Sequence, residues 1–248
     1  MLMPTKGQRQ MRPLITLLAL SLCSLSLPAQ ASSAEAASMS SQQQQSPDEL
    51  KAEYEKLLAT MPPEVQKIFR ENEEKAKNQP PRPRLAEISS ASLKSLAGED
   101  LDLAVYDYVE TRLSGANDRK LALLSLPRGL QIFYLSFVIE AEVMNGGFNQ
   151  FFWNSSAEMA ELVAPALRDL QANEAARIFD EALAVAHSEV AATAKFKSKG
   201  TLDAFSKSYA ETNLTKFDTS FCNWAEKFPL LRANLLRDHE EIFLTRLR

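Results

Sequence analysis

The chain has 248 residues, 45% hydrophobic and 24% charged, the composition of a globular protein with a sizeable core and not of a fibrous or membrane-embedded one. A formal net charge of −4 disfavours non-specific binding to nucleic acid or to anionic membranes, since both depend on clustered Lys and Arg.

At the start, Lys6, Arg9 and Arg12 precede an apolar run from Leu14 to Leu27, and Ala29-Gln30-Ala31 places small residues where a signal peptidase reads. Residues 1–31 are therefore expected to be a secretory signal cleaved near Ala31, delivering the chain to the periplasm or the exterior. The run is shorter than the roughly 20 residues of a membrane-spanning helix, and Pro28 ends it, so no stable span is expected. The rival reading is an envelope lipoprotein with an accessory role, attached through Cys23; such signals carry a small residue before the cysteine, where this chain has Leu22. Without residues 1–31 the chain keeps 25 basic and 32 acidic residues, a net charge of −7. Cys222 then stands alone, which forbids an internal disulfide; between Phe221 and Trp224 it is expected to be buried.

Residues 32–46, rich in Ser, Ala and Gln, lack the apolar surface to fold and read as a disordered tether. Ser46-Pro47-Asp48-Glu49 is a helix start, and Leu50, Tyr54, Leu57 and Leu58 make one stripe. Pro62-Pro63-Glu64 restarts a helix bearing Val65, Ile68 and Phe69. Residues 47–78 are thus expected to form a helical hairpin or extension, and the prolines of 79–91 a stiff linker to a domain over 92–248.

From Glu99 onward the apolar residues recur at three- and four-residue steps: Leu101, Val105, Tyr108, Val109 and Leu113 up to a stop at Gly115, then Ile178, Phe179, Ala182 and Leu183. Pro165 is expected to kink its helix. After Gly200 come Phe217, Phe221, Trp224 and Phe228, and Pro229 opens a terminal helix with Leu231, Leu235, Ile242 and Phe243. No strand-like alternation appears, so the expected fold is all-α, a compact multi-helix domain preceded by the hairpin and the tether.

The most unusual stretch runs from Glu140 to Ser156. Before it, Leu130 to Val143 is apolar on nearly every face and predicts a buried helix. Asn145-Gly146-Gly147 predicts its end, with at least one glycine at positive φ. Phe148, Phe151 and Phe152 have the spacing of a short helix facing the core, and Ser155 with Glu158 reads as a capping box opening the next one. The composite of Glu142, Asn145-Gly146-Gly147-Phe148, Gln150-Phe151-Phe152 and Asn154-Ser155 resembles the family named for the C-terminal domain of a DNA-mimic protein, also catalogued as a domain of unknown function. The similarity covers about Ser92 to Arg248. The resemblance implies a helical interaction module with a protein partner. It also raises DNA mimicry, in which surface carboxylates imitate phosphates. The charges fit mimicry poorly: residues 101–181 carry 12 acidic and 6 basic residues, but residues 182–248 carry 8 and 10.

For catalysis the signals are sparse. His187 and His239 are isolated on helical patterns, without metal-ligand spacing, and read as solvated. No phosphate loop, Cys-x-x-Cys or dinucleotide fingerprint occurs, so neither cofactor nor metal is expected. Glu140 and Glu142, at the end of an apolar helix, admit a periplasmic cell-wall hydrolase as an alternative. The reading preferred here gives Glu142 a bracing role, accepting from backbone donors at the glycine turn, and leaves Glu140 to solvent. Asn145, Gly146, Gly147, Phe148, Phe151, Phe152 and Ser155 are assigned to the turn's structure. Asn149, Gln150, Trp153 and Asn154 are the candidates for partner contact, with Trp153, out of phase with the phenylalanines, as the main one. The expected protein is not an enzyme.

Overall fold

In the computed structural model, which describes residues 55, 58–59, 63–78, 82–199 and 201–244, all regular structure is helical and no strand occurs among those residues. The leader, the tether and the start of the hairpin at 47–54 lie outside the described residues, as does Gly200. The chain divides into two units, with the boundary between Pro81 and Arg82. On one side stands α1 (Pro63–Lys77), beginning at the second of two prolines, where a missing amide hydrogen costs nothing. Arg70 on α1 donates to Glu55 and Glu73.

On the other side follow α2 (Ser90–Lys94), α3 (Glu99–Leu113), α4 (Arg119–Leu124), α5 (Arg128–Trp153), a 3-10 turn (Ser155–Met159), α6 (Ala160–Asp169) and α7 (Asn173–Ser188). Then come α8 (Val190–Lys197), α9 (Leu202–Ser208), 3-10 turns at Tyr209–Glu211 and Leu214–Phe217, α10 (Asp218–Ala225), α11 (Phe228–Asp238) and α12 (Glu241–Leu244). Local chemistry sets many of these ends. Ser89 and Ser92 cap each other's amides at the start of α2, and Asp118 accepts from the Leu121 amide at the start of α4. Pro165 stands inside α6, which continues to Asp169. There Gln171 takes φ 63° while the Ala172 amide reaches back to the Leu167 carbonyl, a left-handed helix end without glycine. Leu85 and Ile88, within the stretch read as linker, pack against the core of this unit.

Helix α5 is the axis of the domain. It is touched by α3, α4, α6, α10, α11 and α12, which explains why its first turns are apolar all round. Leu130, Ile132, Phe133, Leu135, Ile139 and Val143 are each at most 3% exposed. Burying side chains of this size contributes roughly 1.5–3 kcal/mol apiece. Near its start, Gly129 lets α12 approach: a Cβ there would stand 2.6 Å from the ring of Phe243, itself fully buried. The expected single terminal helix is in fact two, α11 and α12, separated at His239, whose φ of −139° leaves the helix. That bend brings Phe243 back over Gly129.

Charge is buried beside the same helix. Arg232 of α11 is 1% exposed. Its guanidinium donates to both oxygens of Asp102 on α3, at 3.0 and 2.5 Å, and to Glu140 on α5 at 2.7 Å. The rings of Phe133 and Phe137 lie 5.5 Å from its central carbon. Glu140, expected to meet solvent, is therefore an internal ion-pair partner: the turn that points it away from Glu142 aims it at α11.

Removing one member of such a buried network strands the opposite charges, which costs roughly 3–5 kcal/mol. Arg232→Leu is expected to lower the free energy of urea unfolding by about that amount. Burial raises the pKa of Glu140, with Arg232 opposing the shift. The folded chain thus holds that proton more tightly than the unfolded chain, so this contribution is complete below the unfolded value of about 4.3 and is lost as pH rises through the raised folded value. Urea titrations should show wild type losing stability with rising pH over that window more steeply than Glu140→Gln does.

Candidate functional site

The glycine pair interrupts α5 without ending it. Gly146 (φ −148°, ψ 28°) and Gly147 (φ 68°, ψ −176°) leave the helical region, and the helix resumes from Phe148 to Trp153. A restarted helix exposes amide hydrogens, and a stopped one exposes carbonyls. Here each finds a partner from a distant element. The Phe148 amide donates to Asp218 at 2.9 Å, and the Tyr209 hydroxyl donates to the Gly146 carbonyl at 2.6 Å. Both glycines are required by space as well: a Cβ on Gly147 would stand 2.7 Å from the Asp218 carboxyl carbon, and one on Gly146 would stand 2.9 Å from the Tyr209 hydroxyl.

Around this break the polar side chains form a closed set. Glu142 accepts from Gln150 at 2.7 Å, from Asn154 at 2.8 Å and from Ser156 at 2.9 Å. Asn145 donates to the Gln150 carbonyl oxygen at 2.9 Å. So Glu142 is an acceptor, but its donors are side chains from beyond the break and not the backbone of the turn, as expected from sequence. The backbone donor went to Asp218, which the sequence reading missed because nothing in the linear order links it to Phe148. Asp218 is half-buried, and burial raises its pKa while the Phe148 amide opposes the shift.

Two further expectations are corrected. The capping box at Ser155 and Glu158 does not form; a 3-10 turn begins there without a side-chain cap, and Ser155 and Glu158 are both exposed. The serine that the local geometry uses is Ser156, turned back to Glu142. Asn149, placed among the partner contacts, is 4% exposed and donates to Ser208 at 2.8 Å, tying α9 to the restarted helix. Gln150 and Asn154 are half-buried with their amides on Glu142. Cys222, expected buried, is half-buried, and burial followed by the charge of Asp218 raises its thiol pKa.

The aromatic residues divide by depth. Phe148 and Phe151 are buried, and Phe148 meets Phe221 at 5.1 Å, Phe179 at 6.1 Å and Phe217 at 6.2 Å between ring centres. Phe152 is half-buried on the same cluster. Trp153 points elsewhere: half-buried, it packs on Phe205 of α9 at 5.1 Å and forms one wall of a groove of about 380 Å³. Phe152, Leu183, Ala186, Val190 and Leu214 supply its other apolar surface, and His187, Glu189 and Lys197 are among its polar lining. His187 is 62% exposed at its side chain and 3.6 Å from Glu161; His239 lies 3.6 Å from Glu241. No group of His, Cys, Asp and Glu able to hold a metal ion occurs among the described residues.

A central helix broken at two glycines, braced by one carboxylate and flanked by an aromatic-walled groove, defines an all-helical module whose polar groups serve its own architecture. Residues 124–239, which contain the break, the Glu142 set, Asp218 and Arg232, match the model of the family described as DMP19-like protein. Neither the curated proteins nor the solved structures contain a match to the chain.

Gly147→Ala should lower the melting temperature. The positive φ alone costs roughly 1–2 kcal/mol with a Cβ, and displacing Asp218 adds to it. Asp218→Ala, which strands the Phe148 amide, is expected to cost about 1–3 kcal/mol. Because the new methyl and the Asp218 carboxylate compete for one space, the double variant should be less destabilised than the two single effects added together, a deficit that calorimetry of the four proteins reads directly.

Proposed function

We propose that this protein is an exported, non-enzymatic helical module that binds a protein partner through the surface around Gly146 to Ser156, with Trp153 as its anchor. One observation carries the reading. Within that stretch Gln150, Asn154 and Ser156 converge on Glu142 inside the domain, while Trp153 presents a half-exposed ring at the wall of a groove. Aromatic anchors seated in concave surfaces supply a large share of binding energy at protein interfaces. The carboxylates nearest the break act here as structural acceptors, Glu142 for amides and a hydroxyl, Glu140 for a buried arginine.

The DMP19-like match supports a protein partner in preference to nucleic acid. A mimic of duplex DNA needs a dense, regular array of negative charge, about one for each 1.7 Å of axis. Most of this chain's excess of acid lies in residues 101–181 while residues 182–248 are slightly basic, so mimicry is not part of the proposal. Export rests on the order of basic, apolar and small residues in the first 31 positions. Among the described residues, no helix is long and apolar enough to cross a membrane.

Partner capture from an envelope extract and thermal unfolding, run side by side, separate binding from folding. Trp153→Ala should weaken capture by about 2 kcal/mol or more while keeping cooperative unfolding. Phe148→Ala, at a fully buried site, should cost about 3–5 kcal/mol of folding stability. If Trp153→Ala captures the same proteins as wild type, the anchor role is lost. Mass spectrometry of the exported form should give an N-terminus near Ser32; an acylated Cys23 would replace the cleaved signal by a lipid anchor.

A further inference from the structure

We propose that the groove beside Trp153 is a binding site for a small anionic amphiphile, a molecule with an alkyl or aryl body and one carboxylate. The proposal goes beyond the partner reading and does not depend on it, because it concerns the purified chain alone.

Size and lining set the body of the ligand. The groove's volume of about 380 Å³ falls in the range of small-molecule sites, roughly 300–1,000 Å³, which are mostly apolar with a few placed polar groups. Phe152, Trp153, Leu183, Ala186 and Leu214 give it an apolar surface, and Val190, 60% exposed, stands at its edge. An isolated exposed valine is unremarkable, but one that continues the apolar wall of a concavity extends the area a ligand can bury.

Charge sets the head group. Lys197, in the last turn of α8, lines the groove and donates to the Phe152 carbonyl at 2.5 Å, which ties its ammonium to the backbone that carries the aromatic wall. Among the described residues no carboxylate pairs with it; the residue is exposed overall, yet the groove wall desolvates its ammonium enough to lower its pKa, a cost that an anion opposite would relieve. The acids nearby are engaged. Glu189 accepts from the Thr212 hydroxyl at 2.6 Å and from the backbone and side chain of Asn213 at 2.9 and 2.7 Å. Although partial burial acts the other way, those bonds keep its pKa below the usual glutamate value, so it stays ionised and occupied. Glu161 faces His187. The lining therefore carries one ammonium with no carboxylate partner and one carboxylate, Glu189, already held by donors of Thr212 and Asn213, so the Lys197 end of the apolar trough is complementary to a carboxylate carried on a hydrocarbon.

The test uses the full chain in a Trp224→Phe background. Trp224 packs on Phe228 away from the groove lining, and with two tryptophans in the sequence its removal leaves Trp153 as the sole tryptophan, read selectively by excitation at the red edge of its band. Decanoate and decyltrimethylammonium, each kept below its micelle concentration, and decanol, kept below its solubility limit, are titrated by fluorescence and by calorimetry. Decanoate should saturate at one per chain and bind about tenfold tighter than decyltrimethylammonium, the discrimination expected of one charge-assisted contact. Lys197→Met should weaken decanoate about tenfold and leave decanol nearly unchanged. Ala186→Phe, filling the groove, should abolish binding of all three while the circular dichroism and melting of the variant remain those of the parent. Failure of decanoate to saturate, equal affinity for the three head groups, or indifference to Lys197→Met would each overturn the proposal. Loss of partner capture in Trp153→Ala with no decanoate binding would leave the partner reading standing and remove this one.

Discussion

Interrupting a helix in the middle of a core creates unpaired backbone groups where water cannot reach them easily, and this protein is built around that constraint. The break at Gly146 and Gly147 redirects α5 so that Phe148 and Phe151 enter the core while Trp153 leaves it. It also exposes the Phe148 amide and the Gly146 carbonyl, which Asp218 and Tyr209 satisfy. Those two residues sit on different elements, α10 and the turn after α9. The need to pair two backbone groups thereby fixes where the last third of the chain must lie.

The two carboxylates at the end of the first half of α5 show how a helix separates neighbours two apart. Glu140 turns toward α11 and meets Arg232; Glu142 turns along the helix axis and collects Gln150, Asn154 and Ser156. One ties the front of the domain to its C-terminal helices with a charge-dense contact. The other splints the two halves of a bent helix with neutral donors. The first is costly to break because guanidinium and carboxylates are stranded together, the second because several amides lose one shared acceptor.

Periodicity made the all-helical architecture legible, and the run from Leu130 to Val143, apolar on nearly every face, correctly marked the central helix. The positive φ at the glycine pair was legible for the same reason: few other residues adopt it at low cost. What could not be read were partners far apart in sequence. Asp218 as cap for Phe148, Arg232 between Asp102 and Glu140, and Gly129 under Phe243 all depend on tertiary proximity, which no local pattern encodes. The apparent capping box at Ser155 failed because Glu142 competes for the polar groups of that turn, drawing in Ser156. Asn149 looked like a surface amide only because its partner, Ser208, lies on another helix.

The seat of Phe243 on Gly129 has a consequence for the order of events in folding. The central helix is laid down with the first half of the domain, yet the side of its opening turn stays uncovered until α12, from the far end of the sequence, arrives. Contacts between such distant segments carry a loop-closure cost before they stabilise anything, and they slow folding relative to local helix pairing. α5, α6 and α7 can pair as sequence neighbours, whereas the opening turn of α5 is covered only by long-range closure, with one aromatic ring resting on a residue that has no Cβ.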